Sequence, residues 1–272
     1  MHNELQEKYE KLKQYLQARK KVAVAYSGGV DSTFLLKTAR DVLDENAIAI
    51  TMKIHSFPRH EYEECIEFCQ RENIFQIVLE FDELKIPGFA GNPENRCYLC
   101  KKELFSQMKQ SAAQHGNAIL LEGSNVDDTG DYRPGMQAIK ELSVESPLKE
   151  AGLSKQDIRD LSKMLGLPTW KKPSFACLST RFPYGETINE EKLRRVETAE
   201  NMLFQYGITQ ARVRCHNDLA RIELLPEDFP VIMEEKVREN VVTALKTMGF
   251  SYVSLDLQGY RTGSMNESLN LM

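Results

Sequence analysis

Residues 25–33, AYSGGVDST, follow a short apolar run and precede a helical pattern, and they restrict the fold more than any other stretch. VAVAY (22–26) reads as a buried strand, and TFLLKTARDVL (33–43) spaces Leu and Val as a helix does. Glycines at such a junction let the backbone come close to a ligand. The first N–H groups of the helix lack internal partners and are backed by the helix dipole, so the turn forms a cradle for an anion. Ser27, Ser32 and Thr33 add hydroxyl donors, and Asp31 offers a carboxylate to a divalent cation that neutralises phosphate. Neither G-x-x-x-x-G-K-[ST] nor G-x-G-x-x-G matches, which excludes the Walker-type and dinucleotide readings. An ordinary strand-to-helix turn, with Asp31 as a helix-dipole acid, is the plainer alternative.

Beyond this turn, strands are expected at 47–54, 74–81 and 118–124, alternating with helices at 59–73 and 101–116. The fold class is therefore α/β, a parallel sheet with helices on both faces, and the glycine turn lies at the carboxyl ends of its strands, where open α/β sheets bind ligands. Ser154 reads as the N-cap of a helix ending at Gly166, and an irregular Pro-bearing loop follows to Gly185. From Thr187 a helix, two strands, a long helix (226–249) and a strand predict a small antiparallel sheet with helices on one face. The expected domains are residues 1–185 and an α+β unit over 186–272.

With 35 basic and 40 acidic residues, net charge −5, the chain has no global electrostatic reason to coat nucleic acid. It contains no 18-residue apolar span and opens on a charged amphipathic helix, so no membrane association is expected and a cytoplasmic location is. Six cysteines (65, 69, 97, 100, 177 and 215) in a reducing compartment point to metal or redox roles rather than disulfides. Cys65 and Cys69, four apart on a helix, read as packing residues, as does Cys215 on a strand. Cys97 and Cys100 form a C-x-x-C expected in a loop after Pro93; the spacing alone does not separate iron–sulfur from zinc.

The SGGVDS stretch resembles the PP-loop of the ATP pyrophosphatase (adenine nucleotide alpha hydrolase-like) superfamily, whose members cleave ATP between the α and β phosphates and place AMP on a carbonyl or carboxyl oxygen. Further stretches, LEGSNVDDTGDYRPGMQA (121–138), KPSFACLSTRFPYG (172–185), VRCHNDLARIE (213–223) and LDLQGYRTGSMN (255–266), resemble the LarE family of ATP-dependent sulfur transferases over essentially the whole chain. The resemblance implies that Ser27, Gly28, Gly29, Asp31, Ser32 and Thr33 hold pyrophosphate and Mg2+. It places adenine near Met52 and Lys53, at the end of the second strand. Gly123 and Asp128, with Asp127, fall at the end of the fourth strand, where carboxylates would complete a Mg2+ shell or act as helix caps. The implied substrate is pyridinium-3,5-biscarboxylic acid mononucleotide, and the implied product is a thiocarboxylate for the nickel-pincer nucleotide of lactate racemase.

Cys177 matches the family's sulfur-donor cysteine, which some members sacrifice. Cys97 and Cys100 match the three-cysteine members, which hold a [4Fe–4S] cluster. Zinc bound by the same cysteines, or Cys177 acting alone, remains open on the residues themselves. Arg212 and Arg214, alternating on one strand face, and Arg181 are expected to meet the substrate phosphate or carboxylate. Glu200 and Glu223 match metal-linked acids of the family, but Val231 stands where a third acid is expected. Arg133 and Lys172 are further anion contacts to consider. The resemblance implies a homo-oligomer and leaves the sulfide source open. A tRNA-thiolating enzyme of the same superfamily is the alternative, disfavoured by the acidic balance, and a non-catalytic nucleotide-binding regulator would leave the cysteines unexplained.

Overall fold

The computed structural model describes residues 2–129, 134–173 and 176–269. Its chain divides into two compact units. Unit 1 comprises residues 1–86 and 95–175, and unit 2 comprises 87–94 and 176–272.

Unit 1 runs α1 (His2–Arg19), β1 (Val22–Ala25), α2 (Val30–Leu43), β2 (Ala47–Lys53), α3 (Arg59–Arg71), β3 (Gln76–Glu80), α4 (Arg96–Gln114), β4 (Ile119–Leu121), α5 (Pro134–Glu141), α6 (Pro147–Glu150) and α7 (Lys155–Met164). The strands pair in parallel in the order β3-β2-β1-β4. Side chains alternate across a strand, so each of these short apolar runs feeds two cores. Val22 and Val24 of β1, Ala49 of β2 and Leu121 of β4 pack with α1, α2, α3 and α7 through Leu16, Phe34, Leu35, Phe68 and Leu161. Ala23, Ile48, Ile50, Met52 and Leu120 face the other way, onto Leu104 and Met108 of α4 and Ile139 of α5. The expected doubly covered parallel sheet is thus present, and its central strand β1 ends in the glycine turn.

The C-x-x-C does not lie in a loop. α4 begins at Arg96, so Cys97 and Cys100 sit in its first turns, with the Tyr98 and Leu99 amides both bonding to the Asn95 carbonyl. Among its buried apolar side chains are Leu104, Met108 and Ala112, so the opening turns carry no periodic signal that would announce a helix.

Unit 2 holds α8 (Glu190–Phe204), β5 (Ala211–His216), β6 (Leu219–Leu224), α9 (Phe229–Met233), α10 (Glu235–Thr247) and β7 (Tyr252–Leu255). β5 and β6 form an antiparallel hairpin whose turn places Asn217 at φ 53°. β7 pairs with β6 in parallel, so the sheet is mixed rather than antiparallel. The α9–α10 segment between them is a crossover, and it returns the chain to run alongside β6 in the same direction. The long helix expected there is broken: the backbone turns extended at Glu234, between α9 and α10.

Candidate active site

The glycine turn has the backbone its residue types suggest. Gly28 has φ +70°, and a Cβ there would lie 2.9 Å from the Cys65 Sγ of α3, so this position needs both the left-handed backbone and the missing side chain. Gly29 is the N-cap residue of α2 in an extended conformation, and a Cβ on it would meet only the Ser27 hydroxyl, at 3.8 Å. The space beside Gly29 is open to a ligand. Ser32 Oγ lies 3.2 Å from the Gly29 carbonyl and 3.3 Å from Ser27 Oγ, tying the turn to the first helical turn. Ser27 is exposed, whereas Thr33 is fully buried and faces inward. A phosphate at the turn would therefore find backbone N–H groups and the Ser27 hydroxyl first.

Opposite lies the end of β4. A Cβ at Gly123 would come 3.1 Å from the Ser32 amide and 3.3 Å from the Asp31 Cβ, so only glycine lets this strand end abut the first turn of α2. Two residues on, the Asn125 amide donates to Asp31 Oδ1 (3.3 Å), while its own backbone N–H is accepted by Asp128 (2.9 Å). Asp31 also receives the ammonium of Lys155, the first residue of α7, and the backbone amide of Lys155 is bonded to Asp127 (2.8 Å). Asp127 and Asp128 thus act as backbone caps, and Asp31 is the carboxylate that a cation at this turn would meet. One carboxylate beside open phosphate space is a donor set that suits Mg2+, which keeps several waters and takes its other ligands from phosphates.

On the other flank, Lys172 bonds to the Gly28 carbonyl (3.3 Å), Glu61 (2.6 Å) and Glu64 (2.5 Å). Burial pushes the Glu61 carboxyl up, and the Lys172 ammonium opposes that shift. Met52 is a core residue beneath α4, and Lys53 at the exposed end of β2 pairs with Glu80 at 2.7 Å. Arg133 lies outside the described residues.

The cysteines separate by burial. Cys65, Cys69 and Cys215 are buried, and burial raises each thiol, that of Cys69 to about 12. Cys97 and Cys100 are half-exposed, one helical turn apart on α4, and Arg96 donates to Cys97 Sγ at 3.8 Å. Cys177, in unit 2, is exposed at the head of the 3-10 turn Leu178–Arg181. Its carbonyl accepts from the Thr180 hydroxyl (2.8 Å), the Thr180 amide (3.0 Å) and the Arg181 guanidinium (3.3 Å).

In unit 2 the three arginines line a buried polar ladder. Arg181, 0% exposed, grips Glu200 with two bonds of 2.8 Å, and Glu200 also accepts the Val213 amide at 2.9 Å. Arg214 grips Glu223 (2.8 and 3.0 Å) and reaches the Thr180 carbonyl; Glu223 further accepts from Ser264. Arg212, 1% exposed, lies over the Tyr260 ring at 5.2 Å, and burial, aided by the neighbouring Arg181 charge, pushes its guanidinium down to about 10. Burial alone would raise the Glu200 carboxyl, but Arg181 outweighs it and holds the group below the ordinary carboxylate value. Glu200 and Glu223 are therefore guanidinium partners. Sequence reasoning misses Lys155 and Asn125 as partners of Asp31; Asn125 stands inside the LEGSNVDD stretch, and Lys155 could be noticed only as the residue following the Ser154 cap.

Two further features lie apart from this constellation. His55, Asp82 and Glu83 bring ligand atoms within 4.8 Å of one another, but both Glu83 oxygens accept backbone amides, from His55 and Ser56. A groove of about 720 Å³, lined in part by Lys21, Arg40, Phe75 and His115, opens at the amino ends of the strands, the edge opposite the glycine turn. Among the described residues no helix is long and apolar enough to cross a membrane.

A PP-loop domain family matches residues 1–129. The chain is 44% identical to an uncharacterised protein of Synechocystis sp., over 97% of this chain and 99% of that protein. It is 38% identical to pyridinium-3,5-bisthiocarboxylic acid mononucleotide synthase of Lactiplantibacillus plantarum, over 92% and 90%. It is 25% identical to a component of the glutamine-hydrolysing GMP synthase of Thermoplasma volcanium, over only 56% and 54%. With the glycine turn on a parallel sheet and nearly full-length identity to the Lactiplantibacillus plantarum synthase, the chain belongs to the LarE family of PP-loop, ATP-using sulfur transferases.

Proposed function

We propose that the chain adenylates a carboxylate of pyridinium-3,5-biscarboxylic acid mononucleotide and converts it to a thiocarboxylate, in the assembly of the nickel-pincer nucleotide, with sulfur supplied through a [4Fe–4S] cluster. The observation that carries this reading is the 38% identity to the Lactiplantibacillus plantarum synthase, which runs through both units rather than the PP-loop domain alone.

A carboxylate oxygen is a poor leaving group, so the substrate must first be activated. Its oxygen attacks the α-phosphorus of ATP, the bond to the bridging oxygen breaks, and pyrophosphate departs carrying the electron pair. The first-turn N–H groups of α2 and the exposed Ser27 hydroxyl would offer donors to the charge that grows on pyrophosphate, and Asp31 would hold the Mg2+ that shares it. A sulfur nucleophile then attacks the acyl carbon, and AMP leaves with its C–O electron pair.

For the sulfur, the support is chemical type: Cys97, Cys100 and Cys177 are the thiols not buried, and soft thiolates suit iron–sulfur clusters as they suit zinc. Bound to three thiolates, a [4Fe–4S] cluster supplies one iron open to an exogenous sulfide. The chain's part is to hold its thiols steady: the first turns of α4 fix Cys97 and Cys100, and Arg181 with Thr180 fixes the Cys177 carbonyl. In unit 2, Arg181 and Arg214 are held by Glu200 and Glu223, so the mononucleotide phosphate would have to compete with those carboxylates for their guanidiniums.

The test is anaerobic reconstitution with iron and sulfide, followed by counting thiocarboxylate formed per chain. More than one product per chain, lost in Cys97→Ser and Cys100→Ser, is expected. A single product, with Cys177 lighter by one H2S, overturns the cluster reading, and thiolation of RNA in the same assay overturns the substrate.

A further inference from the structure

Asp31 carries the divalent cation in the proposed function, on which this inference rests, yet its carboxylate already has a cation. Lys155 reaches it from α7, and Asn125 holds its other oxygen. The backbone of Lys155 is fixed independently of that contact. Its amide is accepted by Asp127, and the preceding residue Ser154 closes a capping box with Asp157, itself paired to Lys8 at 3.0 Å. The side chain is therefore free to move while its root stays still. The pair is also wet enough to exchange: the Lys155 side chain is 36% exposed and that of Asp31 is 20% exposed.

An ammonium and a metal ion cannot share one carboxylate cheaply, because each repels the other at contact distance. The incoming metal must displace Lys155 from Asp31. Once displaced, the side chain has the polyphosphate that arrives with the metal at the first turn of α2, a larger negative charge than the single Asp127 carboxylate bonded to the Lys155 amide. We infer that Lys155 is an exchanging cation: it neutralises Asp31 in the nucleotide-free protein, yields that seat to the divalent ion, and then binds the phosphates of ATP.

The inference has a signature that a merely structural ion pair lacks, since removing the ammonium shifts two equilibria in opposite directions. In Lys155→Met the carboxylate is left unneutralised, so Mn2+ alone, followed by electron paramagnetic resonance without nucleotide, binds about threefold or more tighter. Equilibrium binding of the magnesium complex of α,β-methylene ATP weakens about tenfold or more, the loss expected for a charge-assisted hydrogen bond. Lys155→Arg keeps the charge and restores both affinities towards wild type. If both affinities move in the same direction, or either stays unchanged in Lys155→Met, the inference is wrong. Neither measurement uses the sulfur acceptor, so absence of thiocarboxylate formation would sink the proposed function and leave this exchange standing.

Discussion

Glu200→Gln is the sharpest probe of unit 2. Glu200 accepts two Arg181 bonds of 2.8 Å and the Val213 amide at 2.9 Å, with Arg181 fully buried and Arg212 only 1% exposed beside it. The neutral amide cancels the one carboxylate that balances Arg181, and it must turn an N–H toward either the guanidinium or the Val213 amide, donor against donor. Breaking one side of a buried pair costs about 3–5 kcal/mol. That corresponds to roughly 100- to 4000-fold faster hydrogen exchange in β5 if it opens through unfolding of unit 2, at 1.4 kcal/mol per decade. Exchange of residues 211–216, read by mass spectrometry, measures it directly. The single tryptophan, Trp170, lies in unit 1 and serves as an internal control by fluorescence. Replacing both partners, in Arg181→Met/Glu200→Met, should cost well under the sum of the single changes, because no lone charge is left behind. A loss below about 1 kcal/mol for Glu200→Gln, the range of exposed pairs, or strict additivity in the double variant, would refute the idea that this pair is buried and coupled.

The same pair predicts a pH dependence. The folded-state pKa of Glu200 is depressed, so its contribution is present above the ordinary carboxylate value of 4.5 and is lost as pH falls through the lower folded value; the wild-type advantage over Glu200→Gln should shrink in urea titrations below pH 4.5. Gly28→Ala forces a side chain onto the Cys65 sulfur at φ +70°, and should cost about 1–2 kcal/mol from the backbone conformation alone and weaken ATP binding; an unchanged urea midpoint with unchanged ATP affinity would refute the packing argument. Brief alkylation of the native apoprotein at pH 8 should modify Cys97, Cys100 and Cys177 and spare Cys65, Cys69 and Cys215, whose thiols are raised by burial; peptide mapping that finds label on Cys65 or Cys69 contradicts this.

Unit 1 is legible because its signals are local. VAVA and AIAI are apolar without interruption since both faces of their strands are covered, and the glycines between β1 and α2 leave little choice of backbone. The start of α4 is hidden because its first turns present Cys97 and Cys100 in place of core residues. The direction of β7 is hidden for another reason: strand direction depends on how the α9–α10 crossover returns, and periodicity carries no trace of it. The arginines show a third limit. Alternation puts Arg212 and Arg214 on one face, but their carboxylate neighbours lie on other elements: Arg214 meets Glu223 of β6, and Glu200, near Arg212, comes from α8.

The eight residues Pro87–Glu94 belong to unit 2, although about eighty residues of unit 1 separate them from the rest of it. Asn92 is their anchor: its side chain donates to the Phe182 and Pro183 carbonyls, while the Gly185 and Ile188 amides bond to Asn92 and Ala90. During synthesis this octapeptide leaves the ribosome long before the 182–188 segment it binds and must wait for it. A gene fragment starting at residue 176 encodes a small domain missing one of its own walls, and a fragment stopping at 175 leaves that wall dangling from the nucleotide-binding half.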